Sequence, residues 1–189
     1  MDDTMHHACP DDMLAQAIEL AGTDEVAAIA QIDALIAAHP ADPRLHFLGG
    51  SLLAAQARYE EARAAMARSI EIAPDYAIAR FQLGLLELSS GDAAAADVTL
   101  QPLVEAESED ALALFARGLR HLARDELALA ADLLKEGMRR NHDHPLVSRD
   151  MALIVERIEE SGEGRGEPQE EMSAAQMLLQ QHAAKSTKH

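Results

Sequence analysis

A spacing of 34 residues constrains this chain more than any other feature. Pro40, Pro74, Ser108 and His142 stand at segment ends, each 34 residues after the last. Gly50, Gly84 and Gly118 keep the same interval, and Ala28, Ala62, Ala96 and Ala130 form a second small-residue set. Four residues after each of these alanines comes a bulky apolar side chain: Ile32, Met66, Leu100 and Leu134. A fixed period of this length marks stacked copies of one supersecondary unit, because a single copy cannot bury its own apolar face. The stretch from Pro43 to Pro74 is the best-formed early copy, two short amphipathic segments broken near Arg58 and Tyr59.

Within each period the apolar residues recur at steps of three and four, the helical interval. The chain is 48% hydrophobic but only 3% aromatic, and much of the apolar count is Ala, a strong helix former. An all-α fold is therefore predicted. Helices are expected over 10–21, with Pro10 in the first turn, 24–38 (capped by Thr23), 43 to about 58, 60–73, 76–89, 93–105, 110–124, 127–140 and 145–160. The organisation follows: a disordered N-terminus at 1–9, one repeat domain over 10–160 of about four helix pairs plus a capping helix, and a flexible Gly-rich linker at 161–168. An amphipathic C-terminal helix is expected at 169–185, with Met172, Ala175, Leu178 and Leu179 on one stripe, and a disordered end at 186–189.

The period, the Leu83-Gly84 pair and the Tyr59-Glu60-Glu61-Ala62 helix start resemble the tetratricopeptide repeat, a helix–turn–helix unit of 34 residues. The resemblance covers about residues 9 to 160 and implies an α-solenoid. Departures from its pattern are visible. Gln16 stands where the first glycine falls; His46, Arg80 and Leu114 hold the tryptophan position; Glu87 and His121 hold the tyrosine one.

The resemblance also implies a non-enzymatic scaffold or adaptor, with the first helix of each repeat lining a concave groove that holds an apolar peptide or amphipathic helix. Carried over residue by residue, the groove positions are Phe47, Ser51 and Ala54, then Phe81, Leu85 and Leu88, then Phe115, Leu119 and Leu122. Each trio has the spacing i, i+4, i+7 and shares a helix face. All three phenylalanines of the chain fall at one repeat position. Two readings stand open for them: a hydrophobic ladder for a ligand, or rings packed inside the solenoid core. An exposed ladder needs a cover, so the C-terminal stripe is expected to lie over the groove of its own molecule or of a dimer partner. The Lys, Arg and Asn clamp by which some relatives hold acidic C-termini is absent from these positions. A chaperone resembling those of type III secretion translocators, and a structural subunit with a permanent partner, are the alternative roles.

The formal charge of −17 disfavours nucleic acid and anionic membrane as partners. A positive bias from Arg117 to Arg149 is expected to be a solvated face or to pair with the acidic linker. One cysteine, Cys9, allows no internal disulfide. The first residues have neither the basic start nor the apolar stretch of a leader, so a cytoplasmic location is expected. No phosphate-loop, nucleophile-elbow or zinc-protease motif occurs. Neither His6, His7 and Cys9 nor His142 and His144 supplies a defined metal-ligand set, and no cofactor is expected.

Overall fold

The computed structural model describes residues 8–163, and within them every regular element is an α-helix. The helices are α1 (Asp11–Ala21), α2 (Glu25–Ala38), α3 (Pro43–Ala55), α4 (Tyr59–Ile72), α5 (Ala77–Ser89), α6 (Ala93–Glu105), α7 (Ala111–Leu122), α8 (Leu127–Arg140) and α9 (Pro145–Glu163). The chain divides into two compact units, Met1–Leu83 and Gly84–His189, and the division falls inside α5 rather than at a linker. The expected C-terminal helix, the disordered end and most of the linker lie outside the described residues.

Carboxylates start four of the helices. Asp24, Asp42, Asp92 and Asp110 accept hydrogen bonds from the N–H groups of Ala27, Arg44, Ala95 and Ala113 at 2.9–3.0 Å, satisfying donors that the first turn leaves over. Asp24 thus takes the role expected of Thr23, whose hydroxyl turns back to donate to the Leu20 carbonyl at 3.2 Å. The turns before α4, α6 and α8 repeat as well. Ala57, Gly91 and Asp125, each 34 residues apart, have positive φ of 59°, 88° and 57°. Only the glycine adopts that conformation without a Cβ penalty.

Within the first unit, α1 to α3 pack around Cys9, Ala17, Ile32, Leu35 and Leu45, with Leu14, Ile36, Leu48 and Leu52 against them, and α4 packs on α3. Gly50 lets α4 come close: a Cβ there would stand 2.7 Å from Met66 Cγ. The second unit repeats the device. A Cβ at Gly84 would meet Leu100 at 2.5 Å, and one at Gly118 would meet Leu134 at 2.7 Å. The interval from glycine to bulky residue is the same in all three pairs, so the second helix of each hairpin fills the notch left by the first. In the first hairpin Gln16 stands at the glycine position and is exposed, and Ala17 is the one buried residue of α1.

Two boundaries differ from expectation. Cys9, placed in a disordered terminus from its polar surroundings, is buried: its N–H donates to Asp42 at 2.8 Å and its carbonyl accepts from Arg44 at 2.7 Å. At the other end α9 continues through Ser161 to Glu163, into the expected linker. Val147, Met151, Ile154 and Ile158 of α9 are buried at steps of four, three and four, while Arg149, Ala152 and Glu156 are exposed. Those three stand 34 residues after Phe115, Gly118 and Leu122, so α9 keeps the register and exchanges the packing face for a polar one.

Candidate functional site

Burial divides the nine groove positions into two groups. In the first unit Phe47, Ser51 and Ala54 are half-buried along α3. The Ser51 hydroxyl donates to the Phe47 carbonyl at 3.0 Å. The Phe47 ring meets Tyr76 edge to face, centroids 5.5 Å apart and planes at 72°. Phe81, in contrast, has 0% exposure. In the second unit Phe115, Leu119 and Leu122 also have 0% exposure, and Leu85 and Leu88 are buried.

Gly137 explains the position of Phe115. A Cβ on that residue of α8 would stand 2.5 Å from the ring, so the ring rests directly on the α8 backbone. Phe115 is therefore turned toward the second helix of its own hairpin. As folded, the six buried positions offer a ligand no surface. The spacing of each trio defines a shared helix face but not which neighbour that face meets.

Beside Phe47 the first unit has an open cleft of about 340 Å³, lined by Pro43, Arg44, Ala73, Pro74, Asp75 and Tyr76. The six lining residues did not emerge from sequence reasoning. Tyr76 lies just ahead of α5, and in a chain with so few aromatic residues it was the available signal. Burial pushes the Tyr76 phenol up from its ordinary range.

The charge of Arg44 is engaged by the unit's own acceptors. Its guanidinium donates to Asp42 at 2.8 and 3.0 Å, to Asp11 at 2.6 Å and to the Cys9 carbonyl. Burial works to raise the Asp42 carboxyl, but the hydrogen bonds from Arg44 and the Cys9 N–H outweigh it and hold the group below the usual carboxylate range. The other arginines of the unit are engaged too. Arg58, Arg63 and Arg68 pair with Glu61, Glu60 and Glu71, and Arg80 donates to the Pro74 carbonyl at 2.7 Å.

Five of the basic residues from 117 onward likewise find partners within the second unit. Arg120 meets Asp97 at 2.9 Å, Lys135 meets Glu159 at 2.6 Å, and Arg140 meets Glu109 at 2.8 Å. Arg139 pairs with Glu136. Arg117 donates to the carbonyls of Val104, Ala106 and Ser108, gathering the end of α6 and the loop after it. His121, at the tyrosine position of the repeat, is half-buried with Nδ1 against the Glu126 carboxylate. Among the described residues no group of three or more His, Cys, Asp or Glu is arranged to hold a metal ion. No described helix is long and apolar enough to cross a membrane.

No protein-family model matches the chain. Over 99 residues it is 37% identical to tetratricopeptide repeat protein 34 of Homo sapiens, a match covering 52% of this chain and 17% of that protein. Among solved structures, MamA 41-end from Desulfovibrio magneticus RS-1 superposes with a TM-score of 0.58 at 13% identity, covering 94% of this chain and 93% of that one. The MamA RS-1 ArsTM double mutant gives 0.57, also at 13% identity, with 94% and 92% covered. Identity this low speaks to fold alone, and the fold is an α-solenoid of helix–turn–helix units. With its glycine notches, repeated turns and fixed period, the chain has the helix–turn–helix repeat architecture of tetratricopeptide-type solenoids and is similar in sequence to one tetratricopeptide repeat protein over about half its length.

Proposed function

We propose that the chain is a non-enzymatic protein–protein interaction scaffold that holds a peptide or helix of a partner against α3. The observation that carries this reading is the half-buried Phe47–Tyr76 pair beside the cleft, at the one phenylalanine of the three whose ring is not fully buried. Aromatic side chains that stay partly accessible on a fixed backbone are the usual anchors of a peptide interface, since they contribute apolar area at little cost in side-chain entropy. Ser51 and Ala54 continue the same face of α3 with small side chains, leaving room for a ligand backbone.

The test is a pull-down from a lysate with the intact chain beside Phe47→Ala and Tyr76→Ala, each checked for native helicity. A partner retained by the intact chain and lost from both folded variants identifies the site and its ligand. Retention of every partner by both variants overturns the placement.

A further inference from the structure

The charge around the cleft specifies what kind of segment it takes, given that the proposed site on α3 is the binding site. Residues 8–83 contain eleven Asp and Glu against five Arg and no Lys, a formal charge of −6, and no Lys or Arg occurs before Arg44. All five arginines are engaged by the unit's own carboxylates or carbonyls. The Arg44 side chain in the cleft wall is held by Asp42 and Asp11 and contributes no net positive charge to a ligand. Asp75 remains, exposed and lining the cleft together with Tyr76. The rest of the lining is Pro43, Ala73 and Pro74, an apolar wall.

We infer that the cleft recognises a basic, apolar segment of a partner protein: a Lys or Arg side chain held between the Asp75 carboxylate and the Tyr76 ring, with a neighbouring apolar side chain against Pro43, Ala73 and Pro74. A cation beside a carboxylate and over an aromatic face gains from both. An acidic segment meets repulsion from the whole unit. A second copy of this chain, at −17, meets the same repulsion.

Fluorescence anisotropy with a labelled amphipathic peptide of Leu and Lys, and with its Leu and Glu counterpart, tests this on the full chain. The Lys peptide binds and weakens as salt is raised; the Glu peptide binds at least tenfold more weakly. Asp75→Asn lowers affinity for the Lys peptide about 2- to 5-fold, as expected for one exposed ion pair, and Asp75→Lys lowers it further. Asp143→Asn, an exposed acid of the other unit, leaves it unchanged. Equal loss from Asp75→Asn and Asp143→Asn, or none from Asp75→Lys, overturns the inference. If both peptides bind equally and both are lost from Phe47→Ala, the site stands and its charge preference falls. If Phe47→Ala changes neither, or neither peptide binds, the site itself is wrong.

Discussion

A terminal nitrogen of Arg80 lies 2.7 Å from the carbonyl oxygen of Pro74, and this bond repeats one found 34 residues earlier, where His46 Nε2 lies 2.9 Å from the carbonyl of Pro40. In the following period Leu114 cannot donate, and Arg117 reaches the carbonyl of Ser108 at 3.0 Å instead. The loops entering α3, α5 and α7 are thus each tied to that helix by a side-chain donor. Arg80→Met keeps the stem and removes the donor, and should cost about 1 kcal/mol, the net worth of a typical hydrogen bond. Urea unfolding should show a lower midpoint with an unchanged slope.

The glycine notches should resist even one added carbon. Gly84→Ala and Gly118→Ala push a methyl group against the branched ends of Leu100 and Leu134 and should each destabilise by about 1–3 kcal/mol. Pairing Gly118→Ala with Leu134→Ala should recover part of the loss, so the two changes fall short of additivity. Gly22→Ala, whose Cβ meets only a carbonyl at 3.4 Å, serves as the control and should stay within about 0.5 kcal/mol.

Backbone strain at the turns gives the opposite sign. Ala57→Gly relieves a left-handed alanine and should stabilise by about 1 kcal/mol, whereas Gly91→Ala should cost a similar amount. Thermal unfolding of the two variants should shift in opposite directions.

Asp42 sets an acid limit. Its folded carboxyl titrates below its unfolded value of 3.8, so its contribution is complete above that pH and disappears as pH falls through the lower folded value. Asp110 has the same sign: burial raises it, while the Ser108 hydroxyl and the N–H groups of Ala113 and Leu112 hold it low. Asp42→Asn should lower stability at neutral pH by about 1–3 kcal/mol, because the Arg44 guanidinium loses its buried carboxylate partner and keeps only the exposed Asp11. It should also flatten the decline below pH 4, measured by helicity against pH.

The phenylalanines should separate by readout. Phe115→Ala empties a fully enclosed site and should cost about 3–5 kcal/mol. Phe47→Ala should cost about 1–2 kcal/mol, since its ring is already partly in water, and should act mainly on ligand affinity. Chemical unfolding of both variants decides it: equal losses would show that the two rings share one role.

Most of the fold was legible because its determinants are local and periodic. The glycine-to-bulky interval from Gly50 to Met66 appears in the sequence three times over, and close approach is what a glycine facing a large side chain permits. The site was less legible for a physical reason. Spacing places Phe115 on a face but does not say that Gly137, in the next helix, supplies the opposite wall. Cys9 and Asp42 are joined across 33 residues by one hydrogen bond, which periodicity does not encode. Likewise His46 and Arg80 read as flaws at a packing position, although each carries a donor long enough to reach back to a carbonyl.

The polar face of α9 has a consequence for association. On α7 the face carrying Phe115, Gly118 and Leu122 is the one that receives α8; its counterpart on α9 carries Arg149, Ala152 and Glu156. A further helix laid there in the same way would have to desolvate a guanidinium and a carboxylate, so this face of α9 disfavours the apolar seam that α7 forms with α8.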